Sequence, residues 1–398
     1  MFVMSQGTIE ATGQSLFPTY ARYPQAIVKG EGSWLWDSEG NKYLDFMSGI
    51  AVTNLGHAPK AVKEALVAQL DQLWHISNLF QIPNQAEAAK LITDNSIADV
   101  VFFCNSGAEA NEAAIKLARR YQQKIKENGR YEIITFHQSF HGRTLATLTA
   151  TGQDKVKEGF GPLPTGFKHI QLNDLDALKA AITSETAAVM LEMVQAEGGI
   201  NTVDRDYIQA VAELCKSEGV LLIVDEIQTG IGRTGKLFAY EHFGIEPDIF
   251  TMAKGLGSGF PVGAMAAKEA LREAFSAGSH GSTFGGTPIA TAAVKATLET
   301  IVGESIPQHA AKQGEYLMEQ LRAKLQGCSF VTDIRGLGLI VGIECSGPVA
   351  DLIVEAQQQG LLVITAGPNV IRLLPNLLVT NEEIDQAVAI LTEILSKR

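Results

Sequence analysis

The sequence predicts an α/β protein: a large domain on a mainly parallel sheet covered by helices, and a smaller α/β domain formed from the N- and C-terminal segments. Three observations carry this. Six short apolar runs, at 100–103, 132–136, 188–191, 220–224, 248–251 and 263–266, alternate with stretches of helical apolar spacing. Near-continuous apolar strands of this kind belong to a sheet buried on both faces. The chain has 398 residues, more than one ordinary domain of roughly 150 residues holds. The pattern also changes at both ends, where strands become shorter and turns more frequent.

In chain order, the first 50 or so residues read as short strands at 26–28, 33–37 and 43–46, with a hairpin turn at Gly40-Asn41. Helical spacing runs from 59 to 73, and the alternation of helices and apolar runs follows. After Thr287-Pro288 one long helical stretch extends to about residue 325, and short strands return at 341–344, 361–364 and 370–373. The expected division is an N-terminal segment 1–55 belonging to the small domain, a large domain 56–290, and a C-terminal small domain 291–398.

Composition narrows the function. Hydrophobic residues make up 46% and charged residues 19%, with a mean hydropathy of +0.08, which excludes intrinsic disorder for most of the length. Against 32 basic residues stand 44 acidic ones, a formal charge of −12. That sign repels phosphate backbones and anionic lipid, so neither nucleic acid nor membrane is an expected partner. Cys104, Cys215, Cys328 and Cys345 are scattered and read as reduced thiols of a cytoplasmic protein. No apolar run approaches the roughly 20 residues of a membrane span, and residues 1–12 lack the basic flank and apolar stretch of an export signal.

Ligands of an open parallel sheet sit beyond the carboxyl ends of its strands, so the residues after each apolar run are the informative ones. After 100–103 comes Cys104-Asn105-Ser106-Gly107-Ala108-Glu109, leading into a helical stretch to Arg120. A Ser-Gly turn at a helix start gathers unpaired N–H groups at the positive end of a dipole, which suits a phosphate, although such a turn is more often a plain cap. After 132–136 comes His137-Gln138-Ser139-Phe140-His141-Gly142-Arg143. An aromatic there can stack on a planar ring, and the arginine can grip a carboxylate in a bidentate fork. Taken locally, Phe140 would equally serve the core and Arg143 the surface. His137 and His141 are four apart, but Gly142 and the lack of a helical frame argue against a metal pair, and no metal is expected.

The run 220–224 leads into Asp225-Glu226-Ile227-Gln228. An aspartate at the mouth of a buried strand costs free energy unless a cation pairs with it, a role open to a protonated ring nitrogen. Gly230, Gly232 and Gly235 satisfy GxGxxG, with Asp248 near the spacing of a ribose-binding acid. They start several residues beyond the strand, however, and no phosphate-capping helix opens behind them, so a dinucleotide site is set aside. The run 248–251 leads into Met252-Ala253-Lys254-Gly255. Desolvation lowers the pKa of such a lysine and makes it an imine former or a general base. A phosphate cup, a stacking aromatic, an aspartate and a lysine, each behind a different strand, form the set that pyridoxal 5'-phosphate requires.

On the segment 222–235 and on Ala253-Lys254-Gly255, the chain resembles the class III, fold type I pyridoxal-phosphate aminotransferases over essentially its whole length, and among them the acetylornithine aminotransferases most. The resemblance implies a seven-stranded sheet, a cofactor-binding role for 56–290, and one pyridoxal 5'-phosphate per subunit. Lys254 would carry the cofactor, Asp225 would pair with the ring nitrogen, and Gln228 would bond the phenolic oxygen, with Glu226 and Ile227 alongside. Gly107 and Ala108, with Ser106 close by, would hold the phosphate, and Phe140 would stack on the ring. Ser282 and Thr283 match a pair that reaches the neighbouring subunit's substrate and cofactor, which implies a homodimer.

Small amino donors and 2-oxo acids are the implied partners. Arg143 matches the family's distal carboxylate binder, and Arg372 the arginine that takes the α-carboxylate of glutamate. Glu197 resembles the residue that neutralises Arg372 when a donor brings no carboxylate there. The implied reaction is a ping-pong transfer of the terminal amino group between N2-acetyl-L-ornithine and 2-oxoglutarate in arginine synthesis; succinylornithine, 4-aminobutyrate and ornithine are the alternatives within the class. Ile50 stands where ornithine aminotransferases carry a tyrosine, and an apolar side chain there fits an acylated ornithine.

Overall fold

In the computed structural model, which describes residues 2–398, the apolar runs assemble into one seven-stranded sheet. Across it the strands are ordered Val100–Cys104, Gly263–Ala267, Ile249–Met252, Leu221–Asp225, Thr186–Leu191, Glu132–Phe136 and Phe167–Ile170. Gly263–Ala267 is antiparallel to both neighbours and the other pairings are parallel. Successive side chains of a strand point to opposite faces. Leu222 and Val224 accordingly join one apolar core, while Leu221 and Ile223 join another on the far side of the sheet. Burial on both faces is why these strands read as unbroken apolar runs rather than as an alternation.

The seventh strand, Phe167–Ile170, escapes the sequence reading because it lies at the sheet edge, only half-buried, and carries Lys168 and His169 among its four residues. Two other expectations change. The first fifty residues include a helix, Phe2–Ser15, as well as the three strands; its apolar residues do not recur at helical spacing, and Gly7 and Gly13 interrupt it. The long helical stretch after Thr287 is two helices, Pro288–Gly303 and Ile306–Lys324. Ser305 between them is left-handed with φ 54°, and Pro307 stands in the first turn of the second helix. A proline there cannot donate back into the preceding turn, but it is tolerated where a new helix starts.

The parallel strands end on one edge, at Cys104, Phe136, Leu191, Asp225 and Met252, and the antiparallel strand begins there at Gly263. A Cβ on Gly263 would lie 2.4 Å from the Ser106 carbonyl oxygen, so only glycine lets the loop before the next helix close down on the sheet. The Gly107–Arg120 helix lies against the sheet by an alanine-rich face, with Ala110, Ala113, Ala114 and Ala118 buried. The smaller sheets tie the chain ends together. Leu361–Leu362 pairs in parallel with Lys42–Asp45, and two residues later Ile364–Thr365 joins the sheet of Val370–Leu373. One apolar run thus feeds an N-terminal and a C-terminal sheet.

Arg233 binds these parts from the middle. It is fully buried, and no carboxylate pairs with it among the described residues. Its Nη1 donates to the carbonyls of Leu339, at 3.0 Å, and Pro375, and its Nη2 donates to Asn54 Oδ1 at 2.9 Å. Burial pulls its pKa down to about 9, with the charge of Asp45 acting in the opposite direction. Three acceptors from distant parts of the chain therefore depend on one cation. Replacing it by methionine should leave them unsatisfied and cost about 2–4 kcal/mol, read as a lower urea midpoint; an unchanged midpoint would show that the bonds contribute nothing net.

Candidate active site

The carboxyl edge of the sheet encloses a cavity of about 430 Å³, within the usual size of a small-ligand site. Lys254 lines it at the end of the Ile249–Met252 strand, held in a left-handed turn with φ 47°. The side chain is half-buried and shielded from bulk water. Desolvation pulls its pKa down to about 8; Arg372 lowers it further, while Glu197, Asp225 and Glu192 oppose the shift. Such an amine is a nucleophile and base far nearer neutral pH than an ordinary lysine.

Asp225 ends the adjacent strand and is buried at 3% exposure. Its Oδ2 accepts from Asn111 Nδ2 and from His141 Nδ1, each at 2.8 Å, and its Oδ1 accepts from the Ile227 N–H at 3.0 Å. Thr251 Oγ1 donates to Asn111 Oδ1 at 2.7 Å and fixes which way that amide faces. His141 is fully buried, and with Nδ1 given to Asp225 its Nε2 has no partner among the described residues. Glu192, also lining the cavity, accepts from the Phe140 N–H at 3.0 Å. Burial first, and then the charge of Asp225, push the Glu192 carboxyl well above the usual range.

Asn111, His141 and Glu192 are the residues that sequence reasoning missed. A polar residue among the buried alanines of its helix would have flagged Asn111, and a carboxylate directly after an apolar run would have flagged Glu192. His141 was weighed only as a metal ligand, whereas its partner is an aspartate 84 residues away.

The remaining expected residues divide into three groups. Ser106, Gly107, Ala108, Phe140, Arg143, Ile227 and Gln228 line the cavity together with Asp225 and Lys254. Ser106 caps the helix through a bond from the Glu109 N–H at 3.2 Å, and the N–H groups of Gly107 and Ala108 carry no bond among the described residues. Phe140 is half-buried; Arg143 is exposed, with its Cζ 5.6 Å from the Phe140 ring centroid and no ion pair among the described residues.

Glu197 and Arg372 form a second group, behind Gln228 rather than in the lining. Arg372 is 1% exposed and grips Glu197 in a fork, Nη1 to Oε1 at 2.7 Å and Nη2 to Oε2 at 3.2 Å. Gln228 joins both, donating to Glu197 Oε1 at 3.2 Å and accepting from Arg372 Nη1 at 3.3 Å. Burial would raise the Glu197 carboxyl, but the Arg372 guanidinium overrides it and the pKa falls below its ordinary value.

The third group is not brought into the cavity. Glu226 turns the other way, accepting from Thr229 and from the Tyr240 N–H at 2.9 Å, and burial raises its pKa to about 7. Ser282 and Thr283 line a separate cleft of about 370 Å³ that shares Asn105 with the main cavity. Ile50 packs beside Ala51, Val194 and Ala196, and it is Val52, two residues on, that lines the cavity. Gly232 and Gly235 of the GxGxxG run abut Leu377 and Ala311, so these glycines serve packing.

The donor set fits pyridoxal 5'-phosphate. One shielded amine faces a buried carboxylate with an acceptor position to spare, two free helix amides lie where a phosphate would be held, and an aromatic forms one wall. The comparisons with known proteins agree with this chemistry. An acetylornithine aminotransferase from Bacillus subtilis is 56% identical over 96% of this chain and 98% of that protein, and one from Bacillus cereus is 53% identical over 96% and 97%. The solved ornithine aminotransferase of Toxoplasma gondii, whose active site holds pyridoxal phosphate at partial occupancy, superposes with a TM-score of 0.95 at 32% identity, covering 98% of this chain and 94% of that one. Residues 18–395 match the family model described as aminotransferase class-III, and the chain belongs to that family.

Proposed function

We propose that this enzyme transfers the terminal amino group between N2-acetyl-L-ornithine and 2-oxoglutarate, interconverting them with N-acetyl-L-glutamate 5-semialdehyde and L-glutamate by a ping-pong sequence, and that in L-arginine synthesis in the cytoplasm it runs toward acetylornithine. The observation that carries this is the unequal state of two arginines: Arg143 stands open at the cavity, while Arg372 is masked by Glu197. A pocket that takes two different donors in turn needs one carboxylate site always available and one that can be closed. High identity to curated acetylornithine aminotransferases over nearly the full chain supports the choice of donor.

Bound pyridoxal 5'-phosphate supplies an aldehyde to receive the amino group and a ring to take up electrons from the reacting carbon. Lys254 would hold it and, once the donor's amino group has taken its place there, would be free as an amine with a pKa of about 8 to move the proton at the donor's amine-bearing carbon. Asp225, held by Asn111 and His141, keeps a proton on the ring nitrogen; Gly107 and Ala108 hold the phosphate through their N–H groups. Arg143 binds the α-carboxylate of acetylornithine or the γ-carboxylate of 2-oxoglutarate. Glu197 covers Arg372 while acetylornithine is bound and gives way to the α-carboxylate of glutamate. A charge-assisted bond contributes only about 1.5–3 kcal/mol net, so substrate can displace it.

The divisions at 55 and 290 are part of this reading, with the large domain carrying Asp225 and Lys254 and the C-terminal one carrying Arg372. So is a homodimer. Trp74, Leu79, Phe80 and Phe284 are 61–88% exposed, and Asn78 ties their segment to the Ser282 and Gly285 carbonyls. A second copy of the chain covering this apolar surface would receive Ser282 and Thr283 at its own site.

With purified protein, pyridoxal phosphate and 2-oxoglutarate, a panel of donors at equal concentration should show acetylornithine far ahead of free ornithine and 4-aminobutyrate; preference for free ornithine would overturn the substrate. Mixing and refolding Lys254→Ala with Thr283→Ala should recover part of the activity that each lacks alone, because a hybrid dimer contains one intact site. No recovery from a mixture shown to contain hybrids would contradict a site shared between subunits.

A further inference from the structure

The hairpin that carries Glu197 pairs Val194–Gln195 with Asn201–Thr202 and rests on the C-terminal sheet. In that sheet Arg335 lies opposite Gly342, and Gly342 lies opposite Arg372. Directly opposed residues of an antiparallel ladder project from the same face, so two arginines flank one glycine beneath the turn 196–200. At one end Arg372 Nη1 donates to the Ala196 carbonyl at 3.1 Å and to Glu197 Oε1 at 2.7 Å. At the other, Arg335 Nη2 donates to the Gly199 carbonyl at 2.6 Å and its Nε to the Ile200 carbonyl at 3.1 Å.

Between them a Cβ on Gly342 would lie 2.9 Å from Ile200 Cγ1, so the missing side chain lets the turn sit directly on the sheet. Ile200 is fully buried with φ 58°, a left-handed conformation that a β-branched residue keeps only under constraint. Arg335 grips its carbonyl and the one before it, and is oriented in turn by Asp333 at 3.0 Å and by Glu344.

We propose that Arg335 is a positioning residue for the Glu197 switch. It anchors the far end of the turn, so that Glu197 engages or leaves Arg372 by moving its side chain while the backbone stays seated. The inference rests on the reading of Glu197 and Arg372 given above. Without the anchor Glu197 masks Arg372 less well; acetylornithine then meets a bare guanidinium, and glutamate displaces a weaker internal partner.

Half-reactions of the cofactor-loaded enzyme, followed by absorbance with each donor alone, give kcat/KM for acetylornithine and for glutamate separately. Arg335→Met should lower the acetylornithine-to-glutamate ratio by about tenfold, mainly through KM, and Arg335→Lys should lower it less. In a Glu197→Gln background Arg335→Met should add little, because both act through one pair. Hydrogen exchange of the cofactor-free protein gives a readout independent of turnover. The Ile200 amide, which donates to the Gln195 carbonyl at 3.0 Å, should exchange faster by about tenfold in Arg335→Met. Equal losses with both donors, or unchanged exchange at Ile200, would overturn the proposal. If Glu197→Gln itself leaves the donor ratio unaltered, the switch fails and the proposal with it, while the exchange rate still reports whether Arg335 holds the turn.

Discussion

Asp225 and Lys254 stand at the ends of adjacent parallel strands, one buried and the other shielded, and neither could remain there without partners. That constraint organises the site. The aspartate is satisfied by an amide from the Gly107–Arg120 helix, an imidazole from the loop after Glu132–Phe136, and a backbone N–H of its own loop. The lysine lies in the field of Glu197, Asp225 and Glu192, against that of Arg372. Each partner arrives from a different element, so the two charged groups can be held there only once the whole carboxyl edge has assembled. The antiparallel strand Gly263–Ala267 has a part in this, because it brings Val100–Cys104, with its capped helix, to the same edge as the lysine strand.

Three arginines show how the protein treats cationic side chains for different purposes. Arg233 donates through Nη1 and Nη2 to carbonyl and amide oxygens alone and joins distant segments. Arg372 has a carboxylate partner in a geometry that a substrate carboxylate can copy. Arg143 has no ion pair among the described residues and is available to a ligand. A buried pair contributes little net stability once desolvation is counted, so the arrangement around Arg372 is better explained by exchange of partners than by support of the fold. On the proposed reading, a chain of net charge −12 would meet anionic substrates with Arg143 at the cavity and Arg372 behind it.

Much of this was legible in the sequence. Fully buried strands appear as apolar runs, and a charged residue directly after such a run stands out because burial makes it costly; Asp225 and Lys254 were found in that way. What stayed hidden depends on contacts between distant segments. Asn111 reaches Asp225 across 114 residues and His141 reaches it across 84, and nothing local to either residue announces the partner. The edge strand Phe167–Ile170 had no two-sided burial to mark it. The glycine run from 230 to 235 matches a dinucleotide pattern that its distance from the strand already sets aside, and Gly232 and Gly235 abut Leu377 and Ala311; close packing and ligand approach leave the same signature.

On the proposed reading, Lys254 holds pyridoxal 5'-phosphate against Asp225 in the cavity at the carboxyl edge. Borohydride reduction of the loaded protein, followed by peptide mass analysis, tests it most directly. One cofactor should be fixed per chain, on the peptide that contains Lys254. A modification fixed stoichiometrically on any other lysine would contradict it.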